Sequence, residues 1–111
     1  MIIEGFLHQL GYIVTDSLKV QMKQIIDNTK EFDKIEKHIF DLHDHIKHTN
    51  SYVALSSTHD YLKIKIESPS DEQKEKALKL IQHFSKKYKV ELEKVANKDT
   101  FYIIGFKQIN D

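Results

Sequence analysis

Apolar residues recur along this chain with two different periods, and the periods alternate in blocks. In residues 70–89 they fall at helical spacing, with Ala77, Leu80, Ile81, Phe84 and Tyr88 on one stripe. Ser70 followed three positions later by Gln73 is a capping-box signature, in which the hydroxyl accepts from the first turn and the amide reaches back. Pro69 excludes an earlier start, because the residue before a proline is pushed out of the α region. Asp71 and Glu72 at the front and Lys86, Lys87 and Lys89 at the back complement the helix dipole. These features predict one amphipathic helix.

On either side of that helix the period drops to two. Residues 52–57 and 61–67 alternate as strands, and folding them about Thr58 and His59 sets Leu55 against Leu62 and Val53 against Ile64 on one face. Ser56 then meets Tyr61, Ala54 meets Lys63 and Tyr52 meets Lys65 on the other. Residues 90–96 and 100–109 predict a second hairpin with Asn97, Lys98 and Asp99 as its loop. That loop sets Val90 against Phe106 and Leu92 against Ile104, with Tyr102 beside them and Val95, Phe101 and Ile103 on the opposite face. The last strand is apolar on both faces, the pattern of a central strand, whereas 61–67 and 90–95 alternate with charges like edges. A right-handed crossover through the helix then favours the order 2-1-4-3, with strands 1 and 4 parallel at the centre.

The first 49 residues keep the helical period. Ile2, Ile3, Phe6, Leu7 and Leu10 form a stripe stopped by Gly11, and Asp16 or Ser17 can cap a second stripe of Leu18, Met22, Ile25 and Ile26. The pattern runs on through Phe32, Ile35, Ile39, Leu42 and Ile46 with a slip in phase at residues 28–32. Without glycine or proline there, one long kinked helix is favoured over a helical hairpin. The expected fold is therefore α+β: an N-terminal helical section (1–49) followed by ββαββ (50–111), one domain with a four-stranded mixed sheet packed by helices.

Composition narrows the function classes. The 111 residues contain no cysteine, which removes disulfides, thiolate metal sites and cysteine nucleophiles and suits a cytoplasmic setting. Seventeen basic and seventeen acidic residues cancel. Every basic residue other than histidine is lysine, so the planar fork that grips phosphate and guanine bidentately is missing. Nucleic acid is thus a disfavoured partner. No apolar run approaches the ~20 residues that span a bilayer, and the first residues lack a basic segment followed by an apolar run. Three glycines, no phosphate loop and no nucleophile motif argue against an enzyme.

Three constellations remain. On a continuous helix His38, Asp41, His45 and His48 make one ridge, and imidazole with carboxylate suits Zn or Ni. The plainer alternative is a solvated face with acid-before-base pairs at Asp41–His45 and Asp44–His48. Ser56, Ser57, Thr58, His59 and Asp60 hold triad residue types, but neighbours in one turn do not align as nucleophile, base and orienter. Tyr52, Tyr61, Lys63 and Lys65 share the second face of the first hairpin, where aromatics and lysines together can stack bases and meet phosphates. Finally, a helix over 18–46 would be on the order of 45 Å long, against a sheet roughly 20 Å wide. The uncovered stripe would call for a second subunit. The sequence therefore points to a non-enzymatic protein-interaction or regulatory module, a homodimer through that helix or a sheet edge, with metal binding as the alternative.

Overall fold

The computed structural model describes residues 3–107. Helices α1 (Ile3–Gln9), α2 (Asp16–Asn28) and α3 (Phe32–Ile46) precede strands β1 (Ser51–Leu55) and β2 (Leu62–Ile66), then come α4 (Asp71–Tyr88), β3 (Val90–Lys94) and β4 (Thr100–Phe106). The fold is α+β, and the sheet is antiparallel throughout in the order β1-β2-β4-β3. Ile2 and the strand residues expected at 108–109 lie outside the described residues.

The helix ends follow local chemistry. Gly11, at φ +92°, lets the chain leave α1 in a left-handed turn, with Tyr12 N–H donating back to Leu7 O at 3.0 Å. The cap of α2 is Thr15 rather than Asp16 or Ser17, because its hydroxyl accepts from Leu18 N–H at 3.1 Å. At α4 the Ser70 hydroxyl accepts from Gln73 N–H at 3.2 Å, so half of the capping box forms. Its reciprocal half does not: Gln73 Oε1 has no hydrogen-bond partner.

The expected long helix is broken. Thr29 turns its hydroxyl back onto Ile25 O at 2.7 Å, Lys30 leaves the helix, and Glu31 takes a left-handed conformation at φ +49° before α3 begins. A non-glycine residue does here what sequence reading reserved for glycine or proline. The break has a tertiary partner, since Lys30 N–H donates to Ile104 O at 3.4 Å and Lys30 O accepts from Phe106 N–H at 2.8 Å. The apolar stripe is thereby folded into the protein's own core, and the length mismatch that called for a second subunit disappears.

The strand order also differs from 2-1-4-3. β4 is central as expected, but it lies antiparallel between β2 and β3. The alternation LKIKI is not an edge signature here. Leu62, Ile64 and Ile66 are buried while Lys63 and Lys65 are half-buried, as in any strand of a sheet covered on one side only. The outer strands are β1 and β3.

On the covered face Val53, Leu55, Leu62, Ile64, Ile66 and Ile103 join Ile35, Ile39, Leu42, Ile81 and Phe84 of α3 and α4 in one core. Phe6 of α1 extends it, with its ring 5.4 Å from that of Phe32 and 4.5 Å from that of Phe40. Each fully buried Ile or Leu contributes about 1.5–3 kcal/mol, so this face holds the fold together. No helix among the described residues is long and apolar enough to cross a membrane.

Candidate binding surface

The first hairpin forms with the expected register. Leu55 pairs with Leu62, Val53 with Ile64, Ala54 with Lys63 and Tyr52 with Lys65. Tyr52, Lys63 and Lys65 therefore stand on the face away from the helices. The second hairpin departs from expectation after its first pair. Val90 meets Phe106, but Leu92 meets Ile103 instead of Ile104, because Ile104 is an extra residue opposite Glu91 and Leu92. The inserted residue reverses the faces of residues 101–103 of β4. Ile103 is buried and Phe101 packs against the core, while Tyr102 moves to the open face across from Lys63.

Tyr102 organises one end of that face. Its hydroxyl lies 3.0 Å from His59 Nδ1 and 3.5 Å from Thr58 Oγ1, and the Thr58 hydroxyl lies 2.9 Å from the same ring nitrogen. The Tyr102 ring is 5.0 Å from that of His59 and 5.8 Å from that of Tyr61. The 56–60 segment is thus a turn, as its residue types predict. The Ser56 hydroxyl accepts from the backbone N–H of Thr58 and of His59, each at 3.3 Å. From α2, Gln21 donates to Ser56 O at 2.8 Å and Asn28 to Asp60 O at 2.9 Å, which pins the turn from outside.

The other end of the face is an ionic knot. Tyr52 donates its hydroxyl hydrogen to Glu67 at 3.0 Å, and Lys65 reaches the same carboxylate oxygen at 3.1 Å. The Lys65 hydrogen bond, then that from Tyr52, holds the Glu67 carboxyl below its ordinary range, and the same bond raises Lys65. Burial and the bond to Glu67 push the Tyr52 phenol up. Between the two ends lies a hollow of about 130 Å³ walled by Thr58, Tyr102, Lys63, Lys65, Thr100 and Lys98, and no carboxylate is among its described lining residues. Tyr52, Lys63 and Lys65 lie on this face by the strand register, and Tyr61, just before β2, has its ring 5.8 Å from that of Tyr102. Sequence reading missed Lys98, Thr100, His59 and the position of Tyr102, since the two loops meet only through the sheet register.

The histidine ridge does not converge. His38 stacks on Tyr88 of α4 with ring centroids 3.6 Å apart, and its buried Nδ1 has no partner. His45 Nδ1 lies 2.6 Å from Asp41 O on its own helix. His48 falls in the 3₁₀ turn Lys47–Thr49, off the α-helical ridge, and Asp44 pairs with Lys47 at 3.4 Å instead. Among the described residues no three His, Cys, Asp or Glu side chains come together to hold a metal ion.

A different histidine acts structurally. His43 is only 5% exposed, and its Nδ1 accepts from Val53 N–H at 3.0 Å on the free edge of β1. That bond fixes the neutral tautomer with hydrogen on Nε2. Burial holds its pKa below the ordinary histidine value, the Lys47 charge adds to this, and Asp44 opposes it. Tyr12 Oη accepts from the next outward N–H, that of Leu55, at 3.0 Å. The helical period could have flagged His43, which stands four residues after Ile39 and three before Ile46 on the buried stripe.

No family model matches this sequence, and comparison with curated proteins and with solved structures gives no match.

Proposed function

We propose that this chain is a small non-enzymatic interaction module that receives an acidic segment of a protein partner on the open face of its sheet. One observation carries the reading: Lys63 and Lys98 line a carboxylate-free hollow on that face, and neither is in an ion pair among the described residues. By contrast Lys74, on α4, is matched by Asp99 at 2.9 Å. Unmatched lysines beside the half-buried rings of Tyr61 and Tyr102 suit charge complementarity with a ligand. The cysteine-free composition suits the cytoplasm as the place of action.

Self-association is the weaker form of the same reading. The long helix that motivated it is two helices, and the outward N–H groups of Val53 and Leu55 on β1 are occupied by His43 and Tyr12. β3 carries Glu91, Glu93 and Lys94, the charges by which edge strands resist pairing.

The test is an NMR titration of the labelled chain with a short glutamate-rich peptide. Amide shifts should concentrate at residues 57–65 and 98–102, weaken with salt, and vanish in the Lys63→Glu/Lys98→Glu variant. Shifts confined to α1–α4, or none at millimolar peptide, would remove the reading.

A further inference from the structure

We infer that the hollow between the two hairpin loops is a site for a single phosphoryl group, carried by a phosphorylated serine or threonine of the partner. The inference rests on the open-face reading above and specifies its ligand. Three lysines line one small volume, Lys63 and Lys65 from β2 and Lys98 from the β3–β4 loop; Lys65 is already paired with Glu67 at 3.1 Å, so Lys63 and Lys98 supply the unmatched charge. The hydroxyl-bearing residues Thr58, Thr100 and Tyr102 line it as well. A carboxylate offers two acceptor oxygens on one carbon. A phosphate monoester offers three and carries a charge of −1.5 to −2 near pH 7, so it uses more of these donors at once. Lysine binds phosphate as a compact point charge, which the absence of arginine does not impair.

The surroundings favour one phosphate over a polyanion. Glu67 stands at the Lys65 end of the face. Glu93 pairs across from Tyr102 and is exposed on the same side. A nucleic-acid backbone laid along the sheet would carry its next phosphates onto these carboxylates, whereas a lone dianion sits between them. A second basic hollow, lined by Lys86, Lys89 and Lys107, lies at the C-terminal end of α4, where the last carbonyls repel an anion. No helix residue is among the described residues that line the open-face hollow. Its turn is also already held in place, by Ser56 within and by Gln21 and Asn28 of α2. Little ordering remains to be done on binding.

Four probes are titrated into the labelled chain at constant ionic strength: a phosphoserine peptide, the same peptide with glutamate in its place, inorganic phosphate, and a single-stranded oligonucleotide. The expected result is at least tenfold tighter binding of the phosphopeptide than of the glutamate peptide. Inorganic phosphate should shift the amides of Thr58, Lys63, Lys65, Lys98 and Thr100, and Lys63→Ala/Lys98→Ala should abolish the preference. Lys63 is half-buried and Lys98 exposed, and retention of the amide spectrum elsewhere confirms that the variant folds. Equal binding of the two peptides overturns the phosphoryl site while leaving an acidic partner in place. Binding of neither overturns both. Tighter binding of a single-stranded oligonucleotide than of the phosphopeptide would show that a polyanion is the ligand, against the inference.

Discussion

The two hairpins of this sheet are built from similar lengths of chain, yet only one obeys its own alternation. β1 and β2 pair without interruption, so a pattern of period two was enough to place each side chain. β3 and β4 carry an extra residue at Ile104, and the face of residues 101–103 is the reverse of what alternation predicts. The difference lies outside the hairpins. Lys30, at the break between α2 and α3, pairs with Gly105 where β2 has already ended, and the strand must bend to receive it. Register is therefore local where two alternating strands meet, and non-local where a distant backbone is the third partner. The site depends on the second case, because the bulge is what delivers Tyr102 to the open face.

The strongest way to break this contrast is at Gly105. Its φ is +149°, and an added Cβ would lie 2.6–2.8 Å from the N, Cβ and O atoms of Lys30. Gly105→Ala combines a strained backbone with an overlap that only backbone movement relieves, a cost of about 3 kcal/mol or more. Urea unfolding should show that loss, and the melting temperature should fall by on the order of 15 °C. In any folded fraction the Tyr102 ring signals should move, since the strand would have to leave Lys30. A loss below about 1 kcal/mol would mean that the bulge does not depend on this approach.

The regular hairpin has its own weak point, at the edge. His43→Phe keeps a ring in the α3–β1 interface but leaves a buried Val53 N–H without an acceptor, which costs about 2 kcal/mol. The pH dependence has a definite sign. The unfolded chain takes up the His43 proton near pH 6.5, whereas the folded chain resists it because burial and Lys47 lower the native pKa. The unfolded state binds more protons in that window. The His43 contribution is therefore complete above about pH 6.5 and declines as the pH falls through it. Unfolding at pH 7.5 and 5.5 should show a larger drop for the parent than for His43→Gln, whose amide oxygen still accepts from Val53. Equal drops would mean that His43 does not set the pH dependence.

What was legible in the sequence follows the same division. The α+β class, the α4 cap at Ser70, the first hairpin's register and a central β4 all rest on periodicity or on contacts within a few residues. The strand order failed because a strand with one open face and a strand at an edge both alternate, and only the third dimension separates them. The slip in phase at 28–32 marked where the break between α2 and α3 falls, but not its sharpness, because a left-handed glutamate has no compositional signal. Of the site, Tyr52, Tyr61, Lys63 and Lys65 were visible as one face of one hairpin. Lys98, Thr100 and Tyr102 were not, since their arrival depends on β2 pairing with β4 and on the bulge.

The smallest effect is expected at the other cap on β1, where exposure rather than bond length decides the outcome. The Tyr12 and His43 caps have the same 3.0 Å length, but the Tyr12 bond is only part-buried and borders an open hollow of about 460 Å³ lined by Tyr12, Gln21, Gln24 and Leu55. Water can reach the Leu55 N–H once the phenol oxygen is gone, so Tyr12→Phe loses one net hydrogen bond rather than stranding a donor. The expected cost is about 0.5–1 kcal/mol by urea unfolding, roughly a third of that of His43→Phe. The two donors are two residues apart on one strand, so the double variant should show coupling within about 0.5 kcal/mol if each cap holds its own N–H. A larger coupling would mean that the edge is secured as a unit, and that losing either cap frees the whole strand.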